Sequence, residues 1–575
     1  MDQLKLLHGC GRAVLRLFIG TVTLVVMIFT TGCSQPSTPP RPSALETSRL
    51  PLYDNLGSLH HPITTVNPEA QRYFDQGLRL VYGFNHEEAI RAFEEVVRLD
   101  PSAAMGYWGI ALALGPNINA PMDRQAEQRA FETIQQALRD VNRVSAADRE
   151  YIEALAVRYA ETSANAAGTR KDRDLKYAEA MRRLSQSYPD DADAVALFAE
   201  ALMNLRPWDL WLPDGQPQPG TLELLTVLEH LLERQPDHPG ACHFYIHSVE
   251  ASPHPERALR CAERLPSLMP GAGHLVHMPA HIYMRVGLYE KVAERNTQAV
   301  AVDEHYLGGH NIGRGYALHY YPHNIHFLWA ARVMQGRSQD AVKAARDLVG
   351  AVPVEGVLEE PALEVFTAAP LQTFVRFARW DDILREPVPA SGLVYTTVIW
   401  HYARGLALVA NAKLEEAAAE HADAVKLMEA MSPDRAAGNS SAKQLSQIAT
   451  LVLAGQIAAK ERRYDRAVQH LTAAVAQEDQ LRYNEPEDWY YPVRQSLGTV
   501  LLRIGRAEEA EMVFRQDLKR HPHNGWSLDG LRQALAQRNR LHEAEGVLIR
   551  FRQAWTAADV SEPSALEAFQ ATPRP

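Results

Sequence analysis

The sequence is short of cysteine and of positive charge, and these shortages exclude several classes of protein. Four Cys in 575 residues are too few for a disulfide-stabilised scaffold. Lys and Arg number 59 against 70 Asp and Glu, which gives a net charge of −11. A general nucleic-acid binder needs a basic face to displace counterions from phosphates, so no nucleic-acid partner is expected. The sequence also lacks a Gly-rich phosphate loop and the HExxH and G-x-S-x-G motifs, so nothing favours a Ser or Cys hydrolase.

The first 33 residues have the composition of an export signal. A basic start is followed by an apolar run at 17–30 that is too short to span a bilayer. The run ends in small residues before Cys33, and this pattern resembles a bacterial lipoprotein signal. The resemblance implies that Cys33 is lipidated and anchors an exported protein to the cell envelope, at the outer membrane if the bacterium has two membranes. An ordinary signal peptide or a single membrane anchor are the alternatives, and both also export the protein.

A repeated pattern of small and aromatic residues follows. Tyr73 and Gly77 are followed by Ala89, Phe93 and Pro101. These residues resemble the tetratricopeptide (TPR) repeat, a 34-residue helix–turn–helix unit. Gly77 allows two helices to approach closely, Phe93 fills the gap to the next unit, and Pro101 ends the second helix. The same register begins again at Pro239, Pro322, Val398, Ile448 and Tyr491, with weaker units near Ala192, Gly273, Glu364 and Gly525.

The resemblance implies an all-α, TPR-like helical-hairpin superhelix, an α-solenoid of roughly ten units. We expect a Pro- and Ser-rich tether at 34–64 and a loose tail at 561–575. Between them we expect N-terminal units at 65–355 and C-terminal units at 356–560. TPR arrays serve many partners, so this fold says little about function.

Histidine is concentrated in one part of the array. Thirteen of the 23 His lie between residues 230 and 326. In TPR arrays the first helix of each unit lines the concave groove, at the second, fifth, ninth, twelfth and thirteenth positions. Counted from the unit starts, these positions in three consecutive units hold His243, His247, Glu250, His274, His277, His281, His323 and His326, and His319 lies just upstream.

The spacing within each set places its members on one helix face. His243, His247 and Glu250 are four and seven residues apart, and the other two sets have similar steps. Neighbouring helices lie about 8–10 Å apart, so imidazoles on adjacent helices reach a shared ion. The sequence therefore predicts a site for one or two transition metal ions in the groove. A polar ligand groove without metal, and no shared site at all, remain the alternatives.

Imidazole-rich sites suit Zn, Cu, Fe or Ni. Glu250 would complete a two-His-one-carboxylate iron site. The paired HxxxH spacing on facing helices also resembles the binuclear sites of type-3 copper proteins, in spacing only. Since few carboxylates point inward, a carboxylate-bridged di-iron centre is disfavoured, and copper or zinc is preferred.

Other polar and aromatic residues continue along the groove. Its expected lining includes Asn117, Glu200, Asn204 and Trp208. Asn117 is equally typical of a turn, and packing between repeats equally explains Trp208.

Cys242 and Cys261 lie on the two helices of one unit, at positions that face the partner helix. Buried packing or, in an oxidising compartment, a disulfide would account for them.

Two functions follow from this pattern. The first is an exported metal-binding TPR protein whose ions support oxygen-dependent oxidation if a coordination position stays open beside a substrate pocket. The second is a scaffold whose groove binds a peptide, an envelope protein or a small molecule through hydrogen-bonding His side chains.

Overall fold

A computed structural model describes residues 50–159, 169–309 and 314–560. The signal with Cys33, the start of the tether and the tail at 561–575 lie outside these ranges. Within them, no helix is both long enough and apolar enough to cross a membrane.

The described residues form a succession of α-helices joined by short turns and a few longer loops. In the N-terminal part these are α1 (Pro68–Tyr82), α2 (His86–Leu99), α3 (Ala104–Ala113), α4 (Arg124–Arg139), α5 (Ala146–Ala156), α6 (Arg170–Ser187), α7 (Ala192–Met203), α8 (Thr221–Arg234), α9 (Pro239–Val249), α10 (Leu259–Leu268), α11 (Gly273–His277), α12 (Pro279–Arg285), α13 (Tyr289–Gly309) and α14 (Arg314–Met334).

The C-terminal part continues the series. Its helices are α15 (Ser338–Ala351), α16 (Val354–Glu359), α17 (Glu364–Thr367), α18 (Ala369–Arg376), α19 (Trp380–Arg385), α20 (Val394–Ala410), α21 (Leu414–Ala430), α22 (Ala442–Lys460), α23 (Tyr464–Glu478), α24 (Val493–Arg503), α25 (Ala507–Arg520), α26 (Gly525–Gln537) and α27 (Leu541–Ala554). Single 3₁₀ turns lie at Val141–Arg143, Pro255–Ala258 and Pro361–Leu363. Strands β1 (Ala436–Ala437) and β2 (Ser440–Ser441) pair antiparallel, with Ala436 opposite Ser441.

Consecutive helices contact one another as hairpins, and a phenylalanine lies where three helices meet. A β-carbon added to Gly77 of α1 would lie 2.5 Å from the Phe93 ring of α2, and one added to Gly109 of α3 would lie 2.4 Å from it. Phe514 of α25 occupies the same position between two glycines of α24 and α26. The glycines are thus required for close approach, as the repeat pattern predicts. The expected fold class, an all-α array of TPR-like hairpins, is confirmed.

Residues 50–64, expected as part of the tether, lie against the first hairpin. The backbone N–H of Tyr53 donates to Gln76 of α1, and the Tyr73 hydroxyl donates to the Leu50 carbonyl at 2.6 Å. The side chains of Leu50 and Leu56 are buried. The described part of this segment is therefore held by specific contacts and belongs to the array.

Two buried hydrophobic clusters fill the array, one from the N-terminal hairpins and one from the C-terminal hairpins. Leu328 and Ala330 of α14 pack against both clusters. The helix that carries His323 is thus shared by the two clusters. The division predicted at residue 355 stays a prediction.

Candidate metal centre

Four helices bring six histidines into one buried region. They are His243 and His247 of α9, His274 and His277 of α11, His281 of α12 and His323 of α14. The first five are at most 3% exposed, and His323 is half-buried. Such burial of polar rings is costly unless their nitrogens find partners.

Local sequence explains how α9 presents its pair of rings. Pro239 occupies the first turn of α9, and the His238 ring accepts the N–H of Ala241, so the helix start is fixed. His243 and His247 are then one turn apart on the same face. Pro279 between His277 and His281 separates α11 from α12, yet Met278 keeps a helical conformation and both rings face the same region.

His243, His247 and His274 form the first group, here named triad A. One ring nitrogen from each lies within 4.8 Å of the others. The Nε2 atoms of His243 and His274 are 3.1 Å apart. His277, His281 and His323 form triad B, which meets the same 4.8 Å limit.

The two triads adjoin each other. Ring centroids are 5.8 Å apart between His247 and His281 and also between His274 and His277. Glu250 bridges the triads, because its Oε1 lies 2.7 Å from His247 Nδ1 and its Oε2 lies 2.5 Å from His281 Nδ1. The six imidazoles therefore form one contiguous cluster.

Hydrogen bonds to the outer nitrogens fix how four of these rings point. His243 Nδ1 donates to the Tyr82 carbonyl at 2.7 Å. His277 Nδ1 donates to Asn296 Oδ1 at 2.7 Å, since the Asn296 amide group itself donates to a backbone carbonyl. His247 and His281 donate to Glu250. In a neutral imidazole the other nitrogen, Nε2, must then carry a lone pair.

Among these four lone pairs, only that of His243 has a donor in the described protein, His274 Nε2 at 3.1 Å. His277 Nε2 and His281 Nε2 are 2.9 Å apart, although both act as acceptors. His247 Nε2 and His274 Nδ1 are buried without a hydrogen-bond partner. Facing lone pairs repel unless a cation lies beside them. Outer nitrogens held by carbonyl or carboxylate groups, with inner nitrogens converging, are the arrangement of metal-ligating histidines.

Burial also favours the neutral form of four of these rings. It lowers the pKa of His243, His274, His277 and His323 well below the ordinary value, and the neighbouring imidazoles add to this effect. Burial alone would raise the pKa of Glu250, but the adjacent His281 and His247 hold it below the usual range. Neutral imidazole is the form that binds metal.

One phenylalanine covers each triad. The Phe84 ring lies 4.4–5.8 Å from the three rings of triad A, and the Phe327 ring lies 4.6–5.0 Å from those of triad B. The surroundings of both triads are therefore apolar on these sides.

Three of the predicted ligands have other partners. Glu250 lies within the centre, but both of its oxygens accept from outer nitrogens, so it orients ligands. His319 is 47% exposed and contacts Glu360 at 3.0 Å. The unit counted from Pro322 begins inside a helix, because α14 starts at Arg314 and places His319 on the same helix, about 6 Å along the axis from His323.

His326 is buried but is not part of either triad. It stacks on Trp329 and contacts Phe366, and burial lowers its pKa to about 3. Because His326 follows His323 by three residues, the two side chains point about 60° apart around the helix. The His326 ring therefore faces the next hairpin.

The predicted lining residues divide into two groups. Trp208 contacts His247 edge-on at 5.7 Å. Asn117 folds back on its own loop by accepting the backbone N–H groups of residues 119 and 120. Glu200 and Asn204 bond to each other, and burial raises the pKa of Glu200 to about 7.

Two residues that contact the centre could not be identified from the sequence. Asn296 lies in the buried stripe of α13, with Val292, Ala299 and Asp303. Its polar side chain among these buried positions is the only feature of the sequence that could have indicated a role in the centre. Tyr483, from the segment between α23 and α24, lies 3.3 Å from Glu250 Oε2 and stacks on Trp208. No pattern in the sequence links Tyr483 to helix α9.

A third cluster of potential ligands contrasts with the triads. His61, Asp191 and Asp193 also place ligand atoms within 4.8 Å. Asp193 there accepts from His61, His238 and the Tyr82 hydroxyl, so its oxygens are satisfied by protein donors. This cluster ties residues 50–64 to α7 and needs no ion.

No family model matches the chain, and no curated protein sequence matches it. Solved structures with a similar helical arrangement include human IFIT1 in complex with m7Gppp-AAAA, at 14% identity over 86% of this chain and 92% of that one, with a TM-score of 0.35. The APC/C hetero-tetramer Cut9–Hcn1 has 12% identity over 81% and 76%, with a TM-score of 0.31. Yeast Tom70 has 11% identity over 84% and 96%, with a TM-score of 0.26.

Proposed function

We propose that this TPR-like protein binds two transition metal ions, one in triad A and one in triad B. The observation that carries the proposal is the set of buried Nε2 lone pairs that converge while the outer nitrogens are held by Tyr82, Glu250 and Asn296. A ligand set of three imidazoles leaves a position for a further ligand. The two ions would lie beside each other, because the triads adjoin.

Charge balance favours copper, loaded as the monovalent ion. Six neutral imidazoles and the Glu250 carboxylate supply one negative charge in hydrogen-bond contact with the triads. Two divalent ions would leave a net charge of +3 in this buried region, whereas two Cu(I) ions would leave +1. Since the cost of burying charge rises steeply with its magnitude, Cu(I) is the better fit, and zinc ranks second.

Burial argues against the second function, a scaffold whose histidines bind a ligand in the groove through hydrogen bonds. Five of the six rings are almost inaccessible, so they are not offered to a peptide lying in the groove. Trp208, Tyr483 and half-buried His323 line the more open sides, where a small ligand would reach the ions. Copper supplies one-electron redox chemistry there, and oxygen uptake with candidate reductants tests the oxidative role.

In this proposal the body is exported and anchored through Cys33. The support is the basic, apolar and small-residue order of the first 33 residues. The protein would then bind its metal ions in the cell envelope, outside the cytoplasm.

The test is metal stoichiometry in untagged protein that begins at residue 34. After anaerobic loading with Cu(I) or Zn(II) and removal of loose metal, mass spectrometry should find two ions per chain. His247→Ala and His281→Ala should each lose one ion, and the double variant should lose both. His254→Ala, at an exposed histidine, is the matched control.

X-ray absorption provides a second readout. It should show nitrogen-only coordination at about 2 Å. Metal-free wild-type protein, or a double variant that keeps both ions, would refute the proposal.

A further inference from the structure

We propose that Cys242 and Cys261 are joined by a disulfide bond in the mature protein, which makes this pair a covalent cross-link between α9 and α10. Their sulfur atoms lie 2.7 Å apart. Both side chains are buried, at 0% and 6% exposure. The proposal does not depend on metal binding by the triads.

The separation of the sulfur atoms is too small for two independent thiols. Non-bonded carbon atoms in contact lie about 3.5–4.0 Å apart, and sulfur is larger than carbon. Cys242 Sγ also contacts the Pro236 carbonyl weakly, at 3.7 Å. Both thiols are free in the structure, and their sulfur atoms face each other at a distance between the S–S bond length of about 2.05 Å and an ordinary non-bonded contact.

The thiols are not placed to bind the ions. Cys242 adjoins His243 in sequence, but the His243 ring points to the Tyr82 carbonyl on the other side of α9. The pair therefore forms a site of its own.

The chemistry is thiol–disulfide exchange. One cysteine thiolate attacks a disulfide of an oxidant, such as oxidised glutathione or an oxidoreductase, and releases one thiolate of that oxidant. The second cysteine thiolate then displaces the oxidant's other sulfur and closes the Cys242–Cys261 bond. Two thiol protons leave, the cysteine pair is oxidised by two electrons, and the oxidant disulfide is reduced to two thiols. Because the pair is buried in the folded chain, the exchange takes place during folding.

The bond would close a loop that holds the first turn of α9 against α10. That turn precedes His243 and His247, so the cross-link would stiffen the helix that supplies two ligands of triad A. Closing such a loop restricts the unfolded chain and raises thermal stability.

The test uses the full chain exported with its own signal and purified in air without reductant. The sample is denatured in the presence of an alkylating agent and digested, and the peptides are identified by mass spectrometry. We expect a linked peptide pair that is lighter by two hydrogens, with neither cysteine alkylated until reductant is added. Alkylation of both cysteines before reduction would overturn the proposal.

A second arm removes any dependence on export. The metal-free chain from residue 34, denatured and reduced, is refolded in a glutathione redox buffer. The linked pair should form in most molecules, and reduction should then lower the thermal unfolding midpoint by several degrees. In the Cys242→Ala/Cys261→Ala variant, reductant should leave that midpoint unchanged. Refolded protein with two free thiols, or an equal shift in the variant, would contradict the cross-link.

Discussion

Glu250 offers the sharpest test of the centre, because one carboxylate holds a ring from each triad. Its oxygens lie 2.7 Å from His247 Nδ1 and 2.5 Å from His281 Nδ1. In the Glu250→Gln variant the side chain keeps its shape but presents one acceptor and one donor. One of the two imidazoles then loses its acceptor, or moves its proton to Nε2 and loses the lone pair that binds the ion.

The expected loss can be worked from this geometry. Removing an outer partner of a ligating histidine typically costs about 10–100-fold in metal affinity. At about 1.4 kcal/mol for each factor of ten, this corresponds to about 1.4–2.8 kcal/mol. Since Gln still accepts a hydrogen bond from one ring, we expect the affinity for one ion to fall by this factor and the affinity for the other to change little.

The assay is anaerobic competition between the protein and a chromophoric Cu(I) chelator, which resolves the two affinities. Glu256→Gln is the matched control, because Glu256 pairs with His254 at 3.2 Å on the surface. Circular dichroism confirms that both variants fold. Two ions bound to Glu250→Gln with wild-type affinity would refute the role assigned to this carboxylate.

Three further predictions concern single residues. His323→Ala should lose one ion, whereas His326→Ala should retain both, as measured by metal mass spectrometry; equal losses would contradict the membership of triad B. Tyr483→Phe removes the hydroxyl 3.3 Å from Glu250 and should change Cu(I) affinity by less than tenfold without changing stoichiometry in the chelator assay. Desolvation alone would lower the pKa of half-buried His521, but two carboxylates raise it to about 10 from 6.5, so its stabilising contribution is complete below pH 6.5 and is lost as pH rises toward 10. The difference in urea midpoint between wild type and His521→Gln should therefore shrink over that interval; a constant difference would contradict it.

The hairpin architecture could be predicted because its determinants are local. Gly77 and Phe93 lie 16 residues apart in one unit, and the ring contacts the glycine directly. Periodicity likewise placed pairs such as His243 and His247 on one helix face, since a step of four depends only on helix geometry. The structure brings six of the eight predicted histidines together.

The limits of the candidate site could not be predicted in the same way. The steps that link His319, His323 and His326 look like those of the other sets, but only His323 reaches the centre. Which ring does so depends on where α14 begins and on the neighbouring hairpin. The partners of the outer nitrogens come from distant parts of the chain, as the Tyr82 carbonyl lies 161 residues before His243. Sequence spacing contains no information about such contacts.

Proximity of ligand types does not by itself identify a metal site, and hydrogen bonding decides between the clusters. Around Asp193, His61 and His238 donate to the carboxylate oxygens, and the Tyr82 hydroxyl adds a third donor. An ion there would have to displace hydrogen bonds that already stabilise the fold. In triad B the outer nitrogens of His277 and His281 donate hydrogen bonds to Asn296 and Glu250, so the inner nitrogens of the two neutral rings face each other without a proton between them. An ion would relieve that repulsion, and for this reason the histidine triads are the sites at which binding should stabilise the protein.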